Sequence, residues 1–169
     1  MIREVQKRRP EFGYSVSCTT RKPRDGEINE QDYIFLSEQD FKQRIKRGEF
    51  LEWERVHNYL YGTLKETISR AKNAGQHLLF DIDVKGARSL KRAFPDSLLI
   101  FLNPPDINTL ILRLKSRAQD SQSEIERRLE RIDMEMKTGQ KFDVVIINDK
   151  LKDTVDQVIA EIDRRLTTA

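Results

Sequence analysis

The sequence predicts an α/β fold: a parallel sheet covered by helices, with a small mixed or antiparallel insertion beside it. Two observations carry this expectation. Apolar runs such as "HLLFDID", "SLLIFLN" and "DVVIIN" alternate with helical stretches, and strands apolar on both faces belong in a parallel sheet covered on both sides. The stretch from about Asp32 to Tyr61 is short in its elements, alternating and richer in polar residues, as an antiparallel insertion would be. At 169 residues the chain is long enough to bury a core, and a single domain over 1–169 is expected.

The elements follow in order. "MIREVQKRRP" reads as the last turns of a helix stopped by Pro10; no N-cap precedes it, so the chain is expected to begin inside an element. "GYSVSC" reads as a short strand leading into the loop "SCTTRKPRDGE", and "DYIFLS" as a second strand. Ser37 and Asp40 give an S-x-x-D start to a helix reaching Arg47 and ended by Gly48. "EFLEWERV" alternates as a half-buried strand, with Leu51 and Trp53 on one side and Phe50 and Glu52 on the other. "HNYLYG" reads as the turn after it. "TLKETISRAKNAG" is helical, with Gly75 at the expected C-terminal stop. "HLLFDID" is an apolar strand ending in two acids, "VKGARSLKRAF" a helix stopped by Pro95, and "SLLIFLN" another buried strand. Ile107, Leu110, Ile111 and Leu114 recur at helical spacing. A charged stretch from Ser123 to Lys141 reads as a long helix, and "DVVIIN" as the last buried strand. Leu151, Val155, Val158, Ile159, Ile162 and Leu166 line a final amphipathic helix.

Composition narrows the function classes. Lys and Arg number 31 against 28 Asp and Glu, so the net charge of +3 argues weakly for nucleic-acid or membrane partners despite a pI near 9.0. Neither partner is expected. One cysteine, Cys18, excludes an internal disulfide, and two histidines, His57 and His77, make a histidine-rich zinc site a poor fit. No apolar run is long enough to span a bilayer and no signal peptide opens the chain, so a cytoplasmic location is expected.

Four groups of residues carry chemistry. Arg21 and Arg24 share one loop stiffened by Pro23, and two fixed guanidiniums suit an anion such as phosphate. Tyr33 and Tyr61 add phenol donors, although either alone reads better as a core aromatic with one satisfied hydroxyl. Glu52 shares a strand face with Phe50, so it either reaches water or accepts hydrogen bonds from something bound. Guanine fits it: the Watson–Crick edge presents two adjacent N–H donors to one carboxylate, where adenine offers a lone pair. Asp81 and Asp83, two apart at a strand's carboxyl end, are placed to point the same way and hold Mg²⁺ or a ligand's donors; a plain strand-terminating pair is the alternative. Arg113, Arg117, Arg127 and Arg128 flank a polar break between two helices, either solvated or closing as a flap over a transferring phosphoryl group.

Taken together, "YSVSCTTRKPRDGEINEQDYIFLS", "GEFLEWERVHNYLYGT", "LLFDIDVKGA" and "VVIIND" resemble the guanylate kinase family, which moves a phosphoryl group from ATP to GMP. The resemblance covers essentially the whole chain. It implies a P-loop-kinase-like sheet, a GMP-binding subdomain over about 32–63 and a helical lid over about 115–130. It implies that Arg21, Arg24, Tyr33 and Tyr61 hold the GMP phosphate with Glu27 close by, and that Ser17, Glu52, Thr63 and Asp83 read the guanine. Asp81 would serve Mg²⁺ and its waters. Arg117 and Arg128 would meet the phosphates during transfer, completing a catalytic set with Arg21 and Asp81. Asn148, together with Arg117, would contact ATP. No covalent nucleophile is needed, since positioning and charge neutralisation carry this chemistry.

Three departures from the family pattern stand out. Lys85 replaces the usual Gln of "DIDVQG", and "RAQDS" replaces R-G-x-[DE]-S in the lid. No G-x-x-x-x-G-K-[ST] occurs in the 169 residues, although the family carries one just before the helix that "MIREVQKRRP" resembles. The expectation is a shortened guanylate kinase that binds GMP and transfers phosphate poorly. A non-catalytic phosphopeptide-binding scaffold domain of the same fold is the alternative. Nothing in the sequence chooses between a monomer and a homodimer.

Overall fold

The computed structural model describes residues 1–56, 58–116 and 122–168, side chains included except at 114–116, 122–129 and 131. The chain packs into two compact units. One takes in Ile2 and Gln6–Pro95; the other runs from Asp96 onward and includes Met1 and Arg3–Val5. Helix α1 (Ile2–Arg8) opens the chain and buries Val5.

In the first unit, β1 (Gly13–Tyr14) and β6 (Leu78–Leu79) form a parallel pair, joined further by the Ser15 N–H to the Leu79 carbonyl. The expected strand "GYSVSC" is thus two pieces, because pairing passes from β6 to another sheet between Ser15 and Cys18. That second sheet has the order β3-β2-β5-β4, with β2 Cys18–Thr19, β3 Ile34–Phe35, β4 Phe50–Val56 and β5 Tyr59–Leu64. β2 runs parallel to β3 and antiparallel to β5, and β4 antiparallel to β5, so the insertion is a mixed sheet.

"HNYLYG" is not simply a turn. Tyr59–Leu64 is a six-residue strand, and the chain reverses between Val56 and Tyr59. The alternation of Leu60, Gly62 and Leu64 with Tyr59, Tyr61 and Thr63 was the available signal. The first set meets Cys18, Phe41 and Phe50 in a buried cluster. An added Cβ at Gly62 would lie 2.9 Å from Phe50 and 3.1 Å from Phe41, so the stacked Phe41–Phe50 pair requires glycine there. The other set, with Glu52 and Glu54, lines the opposite face: an irregularity between Phe50 and Glu52 shifts the register, so the two do not share a face as simple alternation predicts.

Helix α2 (Glu38–Lys46) supplies Phe41 to that cluster. Ser37 caps it by accepting from the Asp40 N–H at 3.0 Å, and Gly48 ends it at φ +66°, as the sequence predicts. Helix α3 (Lys65–Asn73) follows β5 and stops before Gly75 at φ +63°.

The strand expected through Asp83 stops at Leu79. Asp83 instead caps helix α4 (Val84–Ala93): its Oδ1 accepts from the Lys85 and Gly86 N–H groups at 3.0 and 2.8 Å. Helix capping outbids strand pairing at this acid, so the two-residue strand spacing does not govern where Asp81 and Asp83 point.

In the second unit, β7 (Ile100–Asn103) and β8 (Val144–Ile147) form a parallel pair, with α5 (Ile107–Ser116), α6 (Gln122–Gly139) and α7 (Leu151–Thr168). β8 is not wholly buried as expected: Ile146 is buried, while Val145 and Ile147 on its other face are exposed. Val155, Val158, Ile159 and Ile162 of α7 are buried, whereas Leu151 and Leu166 at its ends are exposed, as is Ile107 in the first turn of α5. No helix among the described residues is long and apolar enough to cross a membrane.

Candidate functional site

The loop between β2 and β3 holds Arg21 in place before any ligand arrives. Its side chain is only 9% exposed; Nη2 donates to Glu27 Oε1 at 2.8 Å and Nη1 to the Lys22 carbonyl at 2.8 Å. Its main-chain N–H donates to the Thr19 hydroxyl. Glu27 in turn accepts from the Arg24 N–H at 2.7 Å, so one carboxylate ties both arginine positions together. The turn that brings Glu27 back is closed by its own N–H to the Arg24 carbonyl, with Gly26 at φ +81°.

Two rings pack on this guanidinium. Tyr33 lies 5.3 Å and Phe35 5.9 Å from it, both contributed by the "DYIF" alternation that puts them on one side. Tyr61, on β5, stands edge-on to Tyr33 at 6.0 Å. Burial works against the Arg21 charge, yet hydrogen bonds to Glu27 and Tyr61 hold it above its ordinary value. Burial raises the Tyr33 phenol, and the charge of Asp81 adds to the effect. The result is a fixed cation bordered by two phenols and an exposed acid, a setting suited to a phosphate ester.

A second group lies on the same face of the sheet, two residues along β5. The Thr63 hydroxyl, fully buried, donates to Glu52 Oε1 at 2.7 Å, and the two residues are register partners across β4 and β5. The other oxygen of Glu52 faces the first turn of α4: an added Cβ at Gly86 would lie 3.1 Å from Oε2 and 3.5 Å from Asp83 Oδ1. The missing side chain at Gly86 is what lets Glu52 come so near. Burial raises the Glu52 carboxyl above its ordinary value; Thr63 opposes this, and the charges of Asp83 and Glu54 add to it. Ser17 is buried just before β2, its carbonyl accepting from the Ile34 N–H.

Within the first unit, therefore, Arg21, Glu27, Tyr33, Tyr61 and Asp81 form one group, and Glu52, Thr63 and Asp83 another, with β5 carrying a member of each. Arg24 joins through its main chain. Asn148 belongs to the second unit, directly after β8. Its N–H donates to the Asn103 carbonyl at 2.7 Å, its Oδ1 accepts from the buried Thr154 hydroxyl at 3.2 Å, and Arg113 donates to its carbonyl. Arg113 is thus engaged in holding the β8–α7 loop. Arg117 lies outside the described residues, and Arg127 and Arg128 fall on α6, where their side chains lie outside those described. Sequence reasoning missed Phe35 and Glu54; the i, i+2 spacing from Tyr33 and from Glu52 was the signal that could have found them.

Asp81 carries the metal question. Mg²⁺ bound with a nucleotide needs one or two carboxylates, the rest of its shell being phosphate oxygens and water. An exposed aspartate beside the Tyr33–Arg21 group suits that role. No cluster of three or more His, Cys, Asp or Glu forms a closed metal cage among the described residues.

An α/β architecture with a mixed-sheet insertion, in this element order, is consistent with a P-loop-kinase-like fold. Comparison with known proteins identifies the branch. The family model described as guanylate kinase matches residues 2–165. A guanylate kinase of Chlorobium luteolum is 45% identical over 169 residues, 99% of this chain and 86% of that protein. The guanylate kinase of Thermotoga maritima is 39% identical over 160 residues, 95% of this chain and 77% of that protein. The crystal structure of guanylate kinase from Anaplasma phagocytophilum superposes with a TM-score of 0.79 at 25% identity, covering 96% of this chain and 78% of that one. The chain belongs to the guanylate kinase family.

Proposed function

We propose that this chain binds GMP as phosphoryl acceptor and serves the transfer of the ATP γ-phosphoryl group to it, giving GDP and ADP. The observation that carries the reading is the single sheet face on which Arg21, Tyr33 and Tyr61 adjoin Glu52 and Thr63. One end offers a fixed cation and phenol donors to a monophosphate; the other offers a carboxylate to two adjacent N–H donors. Arg21, Arg24, Tyr33 and Tyr61 hold the phosphate, with Glu27 fixing the arginine loop. Ser17, Glu52, Thr63 and Asp83 surround the guanine. Asn148 contacts ATP, and Arg117 and Arg128 neutralise the phosphates as the group passes.

Asp81 would hold Mg²⁺ with the phosphates, and the bound ion would supply charge neutralisation on phosphate oxygens. The protein's own part is orientation: Arg21 and the two tyrosines aim a GMP phosphate oxygen for in-line attack, and no side chain forms a covalent intermediate.

The 169-residue polypeptide contains no G-x-x-x-x-G-K-[ST], the element that cradles the ATP β- and γ-phosphates. It is therefore expected to bind GMP and to form GDP slowly. Calorimetric titration of GMP, AMP and a phosphoserine peptide, with a coupled assay for GDP, tests both statements. Preference for the peptide, or equal affinity for GMP and AMP, overturns the reading of the pocket. Near-normal ATP-dependent GDP formation overturns the expected slow transfer alone.

A further inference from the structure

Lys85 joins two elements at the base-reading group. Its main-chain N–H donates to Asp83 Oδ1 at 3.0 Å, and its side chain crosses to β4, where Nζ lies 3.0 Å from Glu54 Oε1. Glu54 is two residues from Glu52 and opposite Tyr61, as Glu52 is opposite Thr63, so both carboxylates leave the same face of β4. Three acids, Glu52, Glu54 and Asp83, consequently gather where β4 meets the start of α4.

We propose that Lys85 is a positioning residue for base recognition: its ion pair with Glu54 ties β4 to α4 and balances the charge beside Glu52. Glu52 is then presented as an ionised, fixed carboxylate to the guanine. The inference rests on the assignment of Glu52 as base reader made above. The groups facing Glu52 are Glu54 from its own strand, the Thr63 hydroxyl from β5, and Asp83 and Lys85 from the start of α4. Asp83 and Glu54 act in the same direction as burial, favouring the protonated acid; Lys85, paired with Glu54, is the cation placed to offset that charge. Removing its charge leaves Glu54 uncompensated and makes Glu52 easier to protonate. Since only the ionised carboxylate accepts both guanine N–H groups, GMP binding must then fail at a higher pH than before. Both partners are partly exposed, 50% and 33%, so screening keeps the effect modest.

The test is calorimetric titration of the 169-residue chain with GMP and with AMP, from mildly acidic to neutral pH. Lys85→Met is expected to weaken GMP binding about two- to fivefold. It should shift the acid edge of GMP binding toward neutral pH and leave AMP affinity unchanged. Lys85→Arg restores both properties, and adding Glu54→Gln to Lys85→Met returns the acid edge to its original place. An unchanged acid edge in Lys85→Met, or an equal loss for GMP and AMP, overturns the proposal. Glu52→Gln separates the two levels. If it leaves the GMP-over-AMP preference intact, the base-reading assignment has failed. If it abolishes the preference while Lys85→Met keeps the original edge, only the role of Lys85 has failed.

Discussion

Glu52 and Glu27 are both partly buried carboxylates, yet the fold acts on them in opposite directions, and stability should report the difference. Glu27 is held below its ordinary value: burial opposes this, but the Arg21 guanidinium and the Arg24 N–H prevail. Its contribution to stability is present above the unfolded carboxylate range and is lost as pH falls through the lowered value. Glu27→Gln is therefore expected to lose about 1 kcal/mol near neutral pH, with the difference fading in acid. Urea unfolding at the two pH values measures it. Glu52 is held above its ordinary value by burial and by Asp83 and Glu54. Its contribution is present below the unfolded carboxylate range and is lost as pH rises through the raised value, so its ionised form is a strain on the free protein at neutral pH. Glu52→Gln should leave the ligand-free chain no less stable while lowering GMP affinity about tenfold or more, the size of a charge-assisted hydrogen bond. A large loss of stability with unchanged GMP affinity would show instead that Glu52 is a structural acid.

At the scale of elements, two positions depend on contacts that can be removed or crowded one at a time. Gly139 is the last residue of α6, and an added Cβ there would sit 2.3 Å from the ring of Phe101 on β7. Alanine is the better helix former, but a rigid ring cannot yield that much space. Gly139→Ala should destabilise by about 1–3 kcal/mol despite the propensity gain, measured by thermal unfolding. Ser37→Ala removes the cap of α2 and should cost about 1 kcal/mol. The α2 start and its glycine stop were legible because capping is a local code, read from residues three apart. β5 was not, because "HNYLYG" contains turn residues and strand residues together. What makes Tyr59–Leu64 a strand is its antiparallel pairing with β4 and β2, the latter some forty residues earlier in the chain. The same limit applies to Asp83. Two acids on an apolar run look like strand residues until the Lys85 and Gly86 N–H groups are there to be capped.

For the whole molecule, the unit that carries the proposed GMP-binding groups decides what a ligand does to stability. The phosphate-holding and base-reading groups named for GMP all lie in the unit containing Gln6–Pro95. The residue types of the proposed pocket could be singled out in the sequence because arginine pairs, phenols and a lone strand acid each carry a distinct donor or acceptor pattern. Their partners were not: that Glu27 belongs to Arg21, Thr63 to Glu52 and Lys85 to Glu54 depends on loop closure and strand register. A ligand that binds only the folded form stabilises by about 2.7 kcal/mol at a hundredfold excess over its dissociation constant. For a chain of this size that corresponds to a rise of about 5–10 °C in Tm. Trp53, the one tryptophan of the sequence, lies on β4 between Glu52 and Glu54, so its fluorescence follows the unit that holds the pocket. GMP at that excess is expected to raise the tryptophan-detected Tm by this amount, and AMP at the same concentration by distinctly less. If Glu52 reads the guanine as proposed, it must be ionised to do so, and the GMP-induced rise should shrink on acidification, whereas any rise from AMP should not follow the same curve. Equal rises for the two nucleotides at neutral pH would mean that the pocket holds a phosphate and does not read the base.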